Sequence, residues 1–171
     1  MKQLDFLEQD SNTDVKKNII TIFVDGAARN NPGPAGAGVY VTHNGETWIE
    51  QGFFLGSKTN NQAEYLALAL AIFLTKNEIT KRSLNDAHLA FTSDSELLVK
   101  QMKGAYKVKN PELQKIKSLV NSLLQNISYT TRHVLREENK TADQLANVGI
   151  DKKQPLPVGF LTLLADHDVA I

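Results

Sequence analysis

Four acidic residues stand where acids are awkward to keep. Asp25 follows the apolar run 19-IITIFV-24 and precedes a loop of Gly, Asn and Pro. Asp94 follows a second short apolar run, in 89-LAFTSDS-95. Glu64 is the one charged residue of 63-AEYLALALAIFL-74, in the first turn of an otherwise apolar helix. Asp143, in 139-NKTADQLAN-147, flanks a small-residue face of Ala142, Leu145, Ala146 and Gly149 near another helix start. Taken singly, each has an ordinary explanation as a turn acid, a cap or a first-turn complement to the helix dipole. Taken together, all four sit at a strand end or a helix start, and ligands of open α/β sheets gather beyond the carboxyl ends of the strands. Carboxylates brought together repel and raise one another's pKa. A hard divalent cation removes that cost, and an all-oxygen donor set suits Mg²⁺ or Mn²⁺.

The elements that must position these acids are legible from period and punctuation. Residues 19–24 are β-branched and aromatic and read as a buried central strand ending at Asp25. GVYVTH (38–43) and ETWIEQGFFLG (46–56) flank Asn44-Gly45, the strongest short hairpin signal. Thr59 with Gln62 fits a capping box opening a helix to about residue 77. HLAFTS (88–93) reads as a second central strand, and Ser93 with Glu96 as the box of a helix to about Met102. Pro111 suits the first turn of a helix to about Gln125, and 127–133 form a last strand. Asn139 is placed to cap a final helix ending near Gly149. The order predicts an α/β domain with a mixed sheet, an antiparallel hairpin at one side and crossover helices elsewhere.

Composition narrows the chemistry. The 171 residues, 42% hydrophobic and 22% charged, fit one globular domain. Lys plus Arg and Asp plus Glu are both 19, so a polyanion must be held by a local basic patch. Six lysines (100, 103, 107, 109, 115 and 117) against Glu112 alone make such a patch. There is no cysteine, which excludes thiolate sites and fits a reducing compartment. No G-x-S-x-G elbow and no H-E-x-x-H pair occur, which argues against a serine hydrolase or a zinc protease. No run has signal-peptide or membrane-span character, so we expect a soluble, cytoplasmic protein without membrane contact; we also expect a monomer with no obligatory protein partner.

The segments DGAARNNPGPAGAG, TNNQAEYLAL, TSDSELLV and HVLREENKTADQLAN resemble, in order, the four motifs of the ribonuclease H type 1 family, over residues 19–150. The resemblance implies a ribonuclease H-like fold, a five-stranded mixed sheet with strands 1-2-3 antiparallel and strands 1-4-5 parallel flanked by helices, and an endoribonuclease that cuts the RNA strand of RNA–DNA hybrids, leaving 5′-phosphate and 3′-hydroxyl ends. It implies that Asp25, Glu64, Asp94 and Asp143 hold two Mg²⁺ ions, with Mn²⁺ as a substitute. It also implies that Gly26, Ala27, Asn31, Asn60, Asn61, Gln62 and Ser95 meet the substrate at its minor groove, where 2′-hydroxyls distinguish RNA from DNA. Two residues compete as helpers: His133 as proton carrier and Arg136 as phosphate ligand. The loop HVLREEN lacks the glycine and second histidine of the best-known members. The chain resembles the branch without a basic protrusion; KGAYKVKN stands there, and Lys103, Lys107 and Lys109 are its candidate phosphate contacts. Residues 1–18 are expected to be a flexible leader and 151–171 a tail outside the motifs.

Overall fold

The structure, a computed structural model, describes residues 18–171. The expected leader therefore lies outside the described residues, apart from Asn18, which opens the first strand. The chain runs β1 (Asn18–Ala28), β2 (Gly33–His43), β3 (Glu46–Lys58), α1 (Asn60–Lys81), β4 (Ala87–Ser93), α2 (Glu96–Met102), α3 (Pro111–Leu123), β5 (Ser128–His133), a 3₁₀ turn (Arg136–Asn139), α4 (Lys140–Lys152) and α5 (Val158–Asp166). The sheet order is β3-β2-β1-β4-β5. β1-β2-β3 pair antiparallel and β1-β4-β5 parallel, as expected.

Glycines decide how closely the helices approach. Residues that face each other across an antiparallel pair point to the same side of the sheet. Gly26 faces Ala37, whereas Gly36 and Gly38 face Ala27 and Asp25, one residue out of phase. A Cβ on Gly26 would stand 2.1–2.3 Å from the backbone of Ala63 and Glu64 at the start of α1. Cβ atoms on Gly36 and Gly38 would stand 2.2 and 1.9 Å from the carbonyl oxygens of Ala146 and Ala142 in α4. So α1 and α4 cover opposite faces, each with its backbone nearly touching the sheet. The apolar run of α1, Tyr65 to Ile72, is wholly buried and forms the centre of the core with Ile20, Ile22, Val39, Leu55 and Leu89.

Several local expectations are corrected. β1 does not end at Asp25. It continues to Ala28 along β2, and only its pairing with β4 stops, at Phe23 opposite Thr92. β2 starts at Gly33 rather than Gly38, because the Gly- and Ala-rich run that looks like a loop is the small-residue floor beneath α4. The cap of α2 is Ser95, whose Oγ accepts from Leu98 N at 3.2 Å, not Ser93, whose Oγ accepts from Ser95 N. α4 runs past Gly149 to Lys152, and Lys153 takes the left-handed cap. Gly149 is helical because a Cβ there would meet the Phe53 backbone at 2.4–2.7 Å. Asn139 precedes α4 without capping it; its side chain is used elsewhere.

Beyond α4 the chain covers the β3 side of the sheet. Phe54 N donates to Gln154 O at 2.8 Å, so this segment pairs with the edge strand and blunts it. α5 then buries Phe160 and Leu164, with the Phe160 ring 5.6 Å from that of Phe73 on α1.

Candidate active site

The split between β1 and β4 makes the site. Past Phe23, β1 follows β2 while β4 ends at Ser93, leaving Asp25 beside an open edge with Asp94 just beyond the end of β4. Glu64 enters in the first turn of α1, seated over Gly26, and Asp143 in the first turn of α4, seated over Gly38. The four acids line one open cleft of about 410 Å³, with Gly26, Ala27, Ala28, Arg29, Asn60, Arg136 and Asn147. A larger cavity of about 500 Å³ opens at the other end of the parallel strands, but Asp86 is its one carboxylate.

Electrostatics marks the same place. Burial pushes the Asp25 carboxyl up to about 7, with Asp94, Asp143 and Glu64 adding repulsion and Arg136 opposing it. Burial and Asp94 also raise Glu64, while a hydrogen bond from Ser95 Oγ to Glu64 Oε2, at 2.7 Å, counteracts them. Ser95 therefore does two local jobs: it caps α2 and it orients Glu64. No three carboxylates or imidazoles among the described residues already surround one ion-sized point. The donor set nevertheless fits a hard cation, since it is all oxygen, shares one cleft and carries mutual repulsion that a divalent ion relieves.

A family model described as "Reverse transcriptase-like" matches residues 23–149. Ribonuclease HI of Pseudomonas putida is 30% identical over 142 residues, covering 78% of this chain and 94% of the relative. The chain belongs to the ribonuclease H type 1 family. Ribonuclease HI of Halobacterium salinarum is 37% identical over 131 residues, and the chain spans 63% of its length. The crystal structure of LC11-RNase H1 in complex with RNA/DNA hybrid is 40% identical, with TM-score 0.71 and 97% of that chain covered. Ribonuclease H enzymes are divalent-metal dependent.

The other residues singled out by this ribonuclease H pattern fall in distinct places. Arg136 is largely exposed and holds Asp143, its Nη2 donating to Oδ1 at 3.3 Å. His133 is exposed at the end of β5, its Nε2 3.2 Å from the main-chain oxygen of Asp94. Asn31 and Asn60 stitch the β1–β2 loop to the start of α1: Asn60 N donates to Asn31 Oδ1 at 2.9 Å, and Ala28 N to Asn60 Oδ1 at 3.1 Å. Their oxygens are thus engaged within the protein, and their amide N–H groups are the ends able to donate outward. Gln62 closes the capping box with Thr59, and Asn61 is exposed beside it. Lys103, Lys107 and Lys109 are exposed on the connector between α2 and α3, apart from the carboxylate cleft.

Sequence reading missed a strut. Asn139 is 1% exposed, and its Nδ2 donates to Val24 O, the carbonyl preceding Asp25, at 2.9 Å. It joins the strand carrying Asp25 to the turn leading into the helix that carries Asp143. The available signal was a lone amide between the charged run REE and the helix, which also fits an ordinary cap.

Proposed function

We propose that this protein is a metal-dependent endoribonuclease that hydrolyses the RNA strand of RNA–DNA hybrids, leaving 5′-phosphate and 3′-hydroxyl ends. The observation that carries this reading is the meeting of Asp25, Glu64, Asp94 and Asp143 in one cleft, at the β1–β4 split of a ribonuclease H fold. A relative 40% identical over nearly its whole length is found in complex with an RNA/DNA hybrid, which supports the same substrate here. Two Mg²⁺ ions, replaceable by Mn²⁺, would be held by these four carboxylates and would supply an activated water and neutralisation of charge on the scissile phosphate.

The chain's own groups set that chemistry up. Asp25 is fixed from behind by Asn139, Glu64 is aimed by Ser95, and Asp143 is steadied by Arg136. Arg136 can exchange its carboxylate for a phosphate oxygen, since an exposed ion pair stabilises by no more than about 1 kcal/mol. His133, on the Asp94 side, is the candidate proton carrier. The amide N–H groups of Asn31, Asn60 and Asn61, with Gln62 and the backbone of Gly26 and Ala27, suit donation to 2′-hydroxyls and sugar oxygens. Lys103, Lys107 and Lys109 would grip backbone phosphates farther along the duplex. In this reading residues 19–150 are the catalytic domain, and the protein acts as a cytoplasmic monomer. Among the described residues no helix is long and apolar enough to cross a membrane.

The test is cleavage of end-labelled hybrid, DNA duplex and RNA duplex with Mg²⁺, Mn²⁺ or chelator. Metal-dependent cutting confined to the RNA of the hybrid, and lost in Asp94→Asn, is the expected result. Equal cutting of the DNA duplex, or tight hybrid binding without cutting under either metal, overturns it in favour of another nuclease or a binding module.

A further inference from the structure

The carboxylate cleft has a second cation besides Arg136, carried by the first motif without a role assigned to it. Arg29 lies on its wall, one residue past the end of β1. Its Nη1 is 2.7 Å from Asp151 Oδ1, and its Nη2 is 3.5 Å from Asn147 Oδ1. Asn147 in turn donates from Nδ2 to Asp143 O at 3.1 Å. Asp143, Asn147 and Asp151 follow one another at four-residue spacing, so they form a single row along α4. At about 1.5 Å of rise per residue, the guanidinium lies about 6–12 Å from Asp143 along that row. Successive phosphates of a duplex DNA strand are about 3.4 Å apart along the axis, so this reach corresponds to about two to four steps from the scissile phosphate.

Resting on the hybrid-cleavage reading, we propose that Arg29 is a phosphate-binding residue of the cleft, parked on Asp151 in the free protein and transferred to a backbone phosphate of the bound hybrid. Three physical points carry it. The cleft holds four acids and must admit a polyanion, so a cation on its wall has a repulsion to offset. The Arg29–Asp151 pair is exposed, 47% and 60% by side chain, so solvent screens it and release costs little. A planar guanidinium binds carboxylate and phosphate oxygens alike, so one can replace the other on Arg29. Asp151 then acts as a competitor that lowers affinity for the duplex and keeps the side chain extended along the cleft.

The experiment measures binding of a fluorescein-labelled hybrid by anisotropy in chelator across a salt series, and kcat and KM with Mg²⁺. Arg29→Ala should weaken binding by about fivefold and reduce the slope of log K against log salt by about one, with KM moving more than kcat. Arg29→Lys should restore the slope. Asp151→Asn should tighten binding by about threefold in the native background and leave it unchanged in the Arg29→Ala background. A salt slope unaltered in Arg29→Ala overturns the proposal. So does an equal gain from Asp151→Asn in both backgrounds, which makes the effect one of bulk charge, or a loss like that of Arg29→Ala, which makes the pair structural. If the native protein cuts hybrids normally and Arg29→Ala matches it, this inference alone fails; if the native protein cuts none, the functional reading fails first.

Discussion

Replacing Asp25 by Asn should stabilise the metal-free protein while abolishing its activity. In the fold the Asp25 carboxyl titrates near 7 instead of 3.8, chiefly through burial and then through Asp94, Asp143 and Glu64. The folded pKa is the raised one, so the fold favours the neutral acid. This contribution is fully present below about pH 4 and is lost as pH rises through 7. The gap between 3.8 and about 7, at about 1.36 kcal/mol per pH unit, makes ionised Asp25 cost about 4 kcal/mol at pH 8. Asn keeps the shape without the charge and escapes that cost. For a chain of this size the difference corresponds to a rise in Tm of about 8–16 °C. The assay is thermal unfolding in chelator at pH 4 and pH 8, repeated with Mg²⁺. Asp25→Asn should melt well above the native protein at pH 8 and close to it at pH 4, and Mg²⁺ should raise the native Tm far more than the variant's. Equal Tm values at pH 8, or a gap that does not change with pH, would refute the account of this cleft as a store of electrostatic strain.

Three further outcomes follow from the packing. Gly26→Ala places a methyl group about 2 Å from the α1 backbone and should cost about 3 kcal/mol in urea unfolding, with cleavage impaired because Glu64 is displaced; a change under about 0.5 kcal/mol contradicts the close contact. Ser95→Ala removes both the α2 cap and the bond to Glu64, so it should lower stability by about 1 kcal/mol and Mn²⁺ affinity by about tenfold, read by calorimetric titration. Phe160→Ala should cost about 3–5 kcal/mol by denaturant midpoint while hybrid cleavage at 25 °C persists, because the ring packs on α1 away from the cleft.

The four acids and the element order were readable because each rests on local grammar: an apolar run, a turn, a cap. What escaped depends on contacts made at long range. Asp25 reads as a strand end because apolar character stops there, yet β1 continues for three residues under pairing that only β2 supplies. Gly33 to Ala37 reads as a loop because glycine and proline are turn residues, and nothing nearby reveals the helix that requires them to be small. Ser93 and Ser95 are equally good caps by type; the choice is made by where β4 ends and by the carboxylate of Glu64, 31 residues away. Asn139 reads as a cap because its partner lies 115 positions earlier. Arg29 has no local signature, being an arginine in a polar loop whose two partners lie on a helix more than a hundred residues on.

The seating of α4 carries a consequence for anyone altering this protein. Gly36, Gly38 and Gly52 leave room for the carbonyl oxygens of Ala146, Ala142 and Leu145, and Gly149 leaves room for Phe53. The height of Asp143 above the sheet is therefore set by missing atoms. One methyl group added to the floor, even two helical turns away, would lift the whole rod and carry the fourth acid out of reach of its companions. Tuning the chemistry here by ordinary side-chain swaps near the cleft is open to an engineer; moving this helix is not.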